Sequence, residues 1–464
     1  METTGAVEAV RREFDGSIEV LEELVRIPSI SAAPEHVDDV ARSAAATAAV
    51  LEAAGLEHVC QLAADGSHPY VVGEWTHAEG APTVLLYAHH DVQPPGIVAN
   101  WATEPFEPRR DAGRLYGRGS ADDKAGVVAH AGAVAAWLAA AGELPCNVRV
   151  LVEGEEEIGS PNLEAFLTAH LDELAADVLV LADAGNWKVG VPALTYSLRG
   201  LAGADVRVRA LDGPVHSGMA GGVVPDPAMA LATMLASLVD EHGDIAVPGF
   251  ADDAVSLTPE ERARIAALPG DAERVKRSWG FRPGVGFAGD PGVSLWERIW
   301  RRPSLTVTGF DSHPIKGSSN QIVARAAARI SVRLVPGQDP HRANELLRRH
   351  LEAVVPWGLE LEFRPLGASP AWRCEPTGWA FEAAQRALRA GFDAEPVLMG
   401  VGGSIPFVGP FAEAFGGIPA LLLGPADPTS AIHGENESLH LDDWRKLIES
   451  EVLLLAELAA THPS

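Results

Sequence analysis

Cysteine is scarce in this chain: Cys60, Cys146 and Cys374 are three in 464 residues, odd in number and far apart. That argues against a disulfide framework and for a reducing compartment, so a cytoplasmic location is expected. Positive charge is also in short supply, with 36 lysines and arginines against 64 aspartates and glutamates and a formal net charge of −28. A nucleic-acid backbone needs basic surface, so no nucleic-acid partner is expected. No apolar run approaches the length of a membrane span, and the first thirty residues carry charges throughout, unlike a secretory leader. Neither membrane association nor export is expected. Internal repeats are absent, and alanine enrichment is the one compositional bias. What remains is 47% hydrophobic and 22% charged, the balance of a soluble globular protein. The length exceeds one ordinary core, which predicts two domains.

The stretch Val84–Asp91, VLLYAHHD, is the most informative. Val84 to Ala88 carry no charge and suit a strand buried on both faces of a parallel sheet. Such strands deliver their chemistry at their carboxyl ends. Side chains alternate along a strand, so His89 and Asp91 share a face and His90 points away. An imidazole on a metal, with a carboxylate orienting the ring, fits that geometry. A histidine pair capping a strand end by hydrogen bonds fits these residues too.

Two more segments repeat the pattern. Asn147 to Val152 reads as a strand and runs into Glu153, Glu155, Glu156 and Glu157; Asp177 to Leu181 is a third strand, with Asp183 just past it. Carboxylates crowded at a strand end can disperse their repulsion in water, but burial would call for a cation. Between the strands lies an apolar helix that starts near Asp122-Asp123-Lys124, more charge at a helix mouth than capping needs. Strands alternating with helices predict a mainly parallel α/β sheet. From Ala202 the strands alternate instead, with Ala204, Val206 and Val208 on one face. Strand, helix, two strands, helix and strand follow to Arg364, which predicts an inserted ferredoxin-like α+β domain, given a lid or dimerisation role only by the resemblance described below. The expected boundaries are 1–197 and 368–464 for the first domain and 198–367 for the insert. Within the insert, about 243–302 reads as an elaboration. His433 lies in a loop beyond the last strand of the first domain.

His89, Asp122, Glu156, Glu157, Asp183 and His433 thus collect at strand ends and loops. A mixed histidine and carboxylate set suits a divalent ion, Zn2+ first, with Mn2+ or Co2+ able to substitute. Two ions bridged by one carboxylate need about five protein ligands. The set has one glutamate to spare, and a hydrolase needs such a group as general base.

The chain resembles the two-zinc metallohydrolases that include carnosinase-type dipeptidases, aminoacylases and desuccinylases. The likeness rests on YAHHDVQP (Tyr87–Pro94), YGRGSADDK (Tyr116–Lys124), EGEEEIGS (Glu153–Ser160), HSG (His216–Gly218), GGSIP (Gly402–Pro406) and IHGENE (Ile432–Glu437). It implies that His89 and Asp183 hold one metal, Glu157 and His433 the other, and that Asp122 bridges them. Glu156 would be the base and Asp91 the residue that orients His89. His216, Arg333 and Ser404 match substrate-contacting positions. In related dipeptidases the insert forms a homodimer contact through which this histidine reaches the partner's metals. Aspartate at position 183 is the dipeptidase habit, whereas deacylases more often carry glutamate there. The resemblance therefore implies hydrolysis of the amide bond of dipeptides or short peptides by a metal-activated water. An N-acyl-amino-acid deacylase of the same mechanism is the second reading. A catalytically inactive metal-binding relative is the third, although neither a ligand nor the base is missing.

Overall fold

The computed structural model describes residues 3–269, 272–403, 405 and 408–463. Two compact units emerge: Met1–Tyr196 with Cys374–Met399 and Phe407–Ser464, and Ser197–Arg373 with Gly400–Pro406.

The first unit is α/β. Its central strands Asn147–Glu153, Thr83–His89, Val178–Leu181 and Ala420–Leu422 lie side by side and parallel. Antiparallel neighbours extend the sheet. Tyr70–Trp75 pairs with Asn147–Glu153, and Glu57–Leu62 pairs beyond it. That outer strand had no clear signature in the sequence: its six residues are mostly exposed and show no alternation. Thr83–His89 is buried from Val84 onward. Val84, Leu86 and Ala88 enter the main apolar cluster, whereas the Tyr87 ring turns to Phe411 at 6.3 Å. Both faces are therefore covered, as the uncharged run requires.

The helix Lys124–Ala141 corrects one expectation. It is 18 residues long and, by length and composition alone, apolar enough to cross a membrane. Its apolarity serves the interior of the unit instead. The helix packs on Thr3–Val25 and Leu441–Thr461, and the buried Trp137 donates its indole N–H to the Val452 carbonyl at 3.0 Å. Apolar side chains on all sides of a helix are what full enclosure demands. The first helix spans Thr3–Val25, and its opening turns bury only the small side chains of Ala6, Ala9 and Val10.

In the second unit the strands Ser304–Asp311, Arg325–Leu334, Gly200–Arg209 and Glu360–Pro365 form an antiparallel sheet in that spatial order. The helices Pro227–Ala236 and Pro340–Val354 pack on it. Each begins with Asp-Pro: Asp226 and Asp339 accept backbone N–H groups of the first turn, and proline loses no bond at that position. Chain order and spatial order together are ferredoxin-like. Residues 243–302 contribute the short helices Pro259–Ala267, Ala272–Ser278 and Leu295–Arg301.

Candidate metal centre

The parallel strands of the first unit bring their carboxyl ends together, and the polar residues follow from that. His89 ends its strand. The turn Glu156–Ile158 follows Asn147–Glu153, and Asp183 follows Val178–Leu181. His89 presents Nδ1 to the Asp91 carbonyl at 3.1 Å and to the Asp91 carboxylate at 3.4 Å. With that nitrogen occupied, Nε2 faces Asp122 Oδ1 at 3.1 Å and Asp183 Oδ2 at 3.9 Å. The second oxygen of Asp122 lies 2.9 Å from His433 Nε2, which is 3.2 Å from Glu157 Oε2. Two triads result: His89, Asp122 and Asp183, and Asp122, Glu157 and His433. They share one carboxylate, which offers one oxygen to each.

Several neighbours hold this arrangement. Asp91 accepts the backbone N–H of Glu156 at 3.2 Å and of Glu157 at 3.1 Å, capping the turn that carries both. Gln93 donates its side-chain amide to Glu157 Oε2 at 2.8 Å and its backbone N–H to Oε1 at 3.1 Å. Gln93 was not singled out in the sequence, although it sits inside the YAHHDVQP motif. His90 is buried and turned away, with Nε2 bonded to the Pro69 carbonyl at 3.0 Å. Burial lowers its pKa to about 4, so it is neutral.

The acidic run at 153–157 divides in two. Glu153 and Glu155 are buried, and each has a phenol as a hydrogen-bond partner. Tyr87 donates to Glu153 at 2.6 Å and Tyr70 to Glu155 at 2.6 Å, and Asn162 adds two further bonds to Glu155. This corrects the expectation that burial of these acids demands a metal. Burial still pushes the Glu153 carboxyl up to about 8. Glu156 and Glu157 face the centre instead.

Electrostatics mark the centre as built for a cation. Burial alone would lower the His89 pKa, but hydrogen bonds to Asp122 and Asp91 outweigh it and hold it well above the ordinary value. Hydrogen bonds to Asp122 and Glu157 raise His433 to about 10. Burial, reinforced by neighbouring carboxylates, raises Glu156 and Asp183 well above theirs. Two imidazoles cannot balance Asp122, Glu156, Glu157 and Asp183. Divalent cations would supply the missing positive charge, and the mixed N/O donor set suits them. Among the described residues Glu156 belongs to neither triad.

The remaining three positions fall in the second unit. His216 is exposed at the end of the short strand Val215–His216, and its Nδ1 accepts the Gly218 N–H at 3.0 Å. Arg333 lies on Arg325–Leu334, half-buried, and burial lowers its pKa. Ser404 lies outside the described residues. The glycines before it are clamped by Arg199, which donates its backbone N–H to Gly403 O and its side chain to Gly402 O, both at 3.0 Å. Gly400 packs so tightly on Trp300 that a Cβ there would come within 2.8 Å of the ring. Those contacts explain why the glycine-rich turn belongs to the second unit.

A parallel sheet with two histidine–carboxylate triads sharing one aspartate is the framework of a metal-dependent hydrolase. The sequence pattern of peptidase family M20/M25/M40 matches residues 85–457, and the chain belongs to that family. Among its relatives is the cysteinylglycine-S-conjugate dipeptidase of Corynebacterium striatum, 32% identical over 90% of each chain. The crystal structure of human carnosine dipeptidase 1 superposes with a TM-score of 0.86 at 28% identity, over 99% of each chain. An M20 metallo-carboxypeptidase of Sulfolobus solfataricus gives 0.85 at 29% identity, over 96% of this chain and 99% of that one.

Proposed function

We propose that this protein is a dipeptidase whose centre holds two divalent ions, Zn2+ first. His89 and Asp183 would hold one ion, Glu157 and His433 the other, with Asp122 between them. The carrying observation is the shared Asp122, whose two oxygens face different triads. Ions held there lower the pKa of water and polarise the scissile carbonyl. The protein's own groups do the rest. Glu156, outside both triads, accepts the proton of the attacking water and returns it to the leaving amine. Asp91 fixes the turn on which Glu156 sits. Arg333 and Ser404 would contact the substrate, as the resemblance implies. Both relatives named as dipeptidases support dipeptides as the substrate class.

The protein acts as a homodimer through the second unit, and His216 of each subunit serves its partner's centre by donating to the oxyanion. Exposed apolar side chains on that unit support an interface: Met219 is 86% exposed, Val223 88% and Ile315 94%. A cytoplasmic location accords with the scarcity and wide spacing of the three cysteines. The test is a panel of dipeptides, longer peptides and N-acyl amino acids assayed with added Zn2+ or Mn2+. Preference for dipeptides supports the proposal. Preference for N-acyl amino acids would establish the deacylase, and cleavage of longer peptides from the carboxyl end the carboxypeptidase.

A further inference from the structure

The loop that carries His433 is poorly held by its own sequence. Ala431, His433 and Asn436 all adopt left-handed backbone, with φ of 53°, 59° and 61°, a region that non-glycine residues avoid. The His433 side chain is itself 56% exposed. Something outside the loop must impose its shape.

A buried ion pair contributes to this, beside the bonds that Asn436 makes to the backbone of Asn100 and Ala102. Arg118 and Glu437 have side chains 1% and 0% exposed, with Nη1 and Oε2 2.5 Å apart. The other carboxylate oxygen, Oε1, accepts the backbone N–H of Ala121 at 2.9 Å and of Asp122 at 3.1 Å. Arg118 Nη2 donates to the carbonyl of Gly434, next to His433, at 3.0 Å and to that of Pro94, next to Gln93, at 3.2 Å. One pair therefore touches the backbone beside three side chains. These are Asp122, His433 and Gln93, the residue that grips Glu157. Those contacts converge on the Asp122–Glu157–His433 triad. His89 and Asp183, by contrast, are placed by the ends of sheet strands.

We propose that Arg118 and Glu437 are positioning residues for one half of the metal centre, the Asp122–Glu157–His433 position. Geometry carries the assignment: the guanidinium and carboxylate span the two loops and the strand end that bring this triad together. The inference rests on the two-ion reading, which fails separately if the unaltered protein does not bind two ions.

The test is calorimetric titration of metal-stripped protein with Zn2+, with bound metal counted by elemental analysis. Unaltered protein should bind two ions per chain; fewer would defeat the two-ion reading before any variant is made. Glu437→Gln should weaken one ion by roughly 10–100-fold, the usual effect of losing a group that orients ligands. The other ion shares only Asp122 with the groups this pair touches and should weaken less. In a Glu157→Gln background, Glu437→Gln should add little, because that position is already lost. In an Asp183→Asn background it should still weaken the remaining ion. Equal weakening of both ions, or none, overturns the proposal. Because Glu437→Gln leaves a buried arginine without its partner, the double variant Arg118→Met/Glu437→Gln provides a neutral control, its fold checked by circular dichroism and melting. Loss of the same single ion from the folded double variant supports the proposal. Recovery of both ions would reduce the pair to mutual charge neutralisation and overturn it.

Discussion

Asp91 Oδ2 accepts the backbone N–H of Glu157 at 3.1 Å, so a residue past one strand end fixes a triad member past the end of the neighbouring strand. Its Oδ1 does the same for Glu156 at 3.2 Å and lies 3.4 Å from His89 Nδ1. The orienting role implied for Asp91 thus extends to Glu156, the proposed base, and to Glu157 of the other triad. Asp91→Asn keeps one acceptor where two N–H groups need one each. Its metal affinity should fall by roughly 10–100-fold, with a fall in kcat at saturating metal. Zn2+ titration and steady-state rates on a dipeptide measure the two effects. Unchanged affinity and rate would show that the cap is dispensable.

The neighbouring glutamates should respond differently. Glu156→Gln keeps shape and removes basicity, so kcat should fall by about 100-fold or more while bound metal stays near the unaltered level. Glu157→Gln removes a ligand held by Gln93 and facing His433, so bound metal should fall first. Metal analysis beside kcat separates the two, and the reverse pattern would exchange their roles.

His216 is testable by complementation. His216→Ala and Glu156→Gln, each nearly inactive alone, are mixed under conditions that exchange subunits. If each centre borrows His216 from its partner, the mixed dimer has one centre lacking both groups and one intact. Up to about half the unaltered activity per mixed dimer should return, because one of its two centres keeps both the base and the oxyanion donor. Failure to recover with subunit exchange demonstrated by native mass spectrometry would place His216 in its own chain's chemistry or outside it.

His130, inside the first unit, governs a pH effect on stability. Its Nε2 is bonded to the Tyr87 carbonyl at 3.0 Å and its Nδ1 to Glu451 at 3.1 Å. Burial opposes the charge, but Glu451 outweighs it and raises the pKa. A proton held more tightly folded than unfolded stabilises the fold fully below the unfolded value of about 6.5. That contribution is lost as pH rises through the folded value. Between about pH 6 and 9 the Tm should fall more in the unaltered protein than in His130→Gln. Parallel Tm curves would remove His130 from the account.

The sequence by itself pointed to the α/β framework, because short uncharged runs such as Val84–Ala88 alternating with helical stretches suit strands covered on both faces. It also indicated a ferredoxin-like insert, through the alternation at Ala204, Val206 and Val208 and the order of strands and helices after it. The donor residues were legible because histidine and carboxylate follow the strands directly. Weakly patterned elements were not: Glu57–Leu62 is an exposed edge, and the start of the first helix buries only small residues. Tertiary structure alone decided how the acids are used. Whether a buried carboxylate meets a phenol, as Glu153 and Glu155 do, or faces a metal centre, as Glu157 does, depends on which residues the fold brings from elsewhere in the chain. The same holds for Glu437, whose partner Arg118 lies 319 residues away and whose carboxylate holds the Asp122 backbone. Local sequence carries periodicity and capping; it carries no record of contacts closed over such separations, and those contacts set the geometry of this centre.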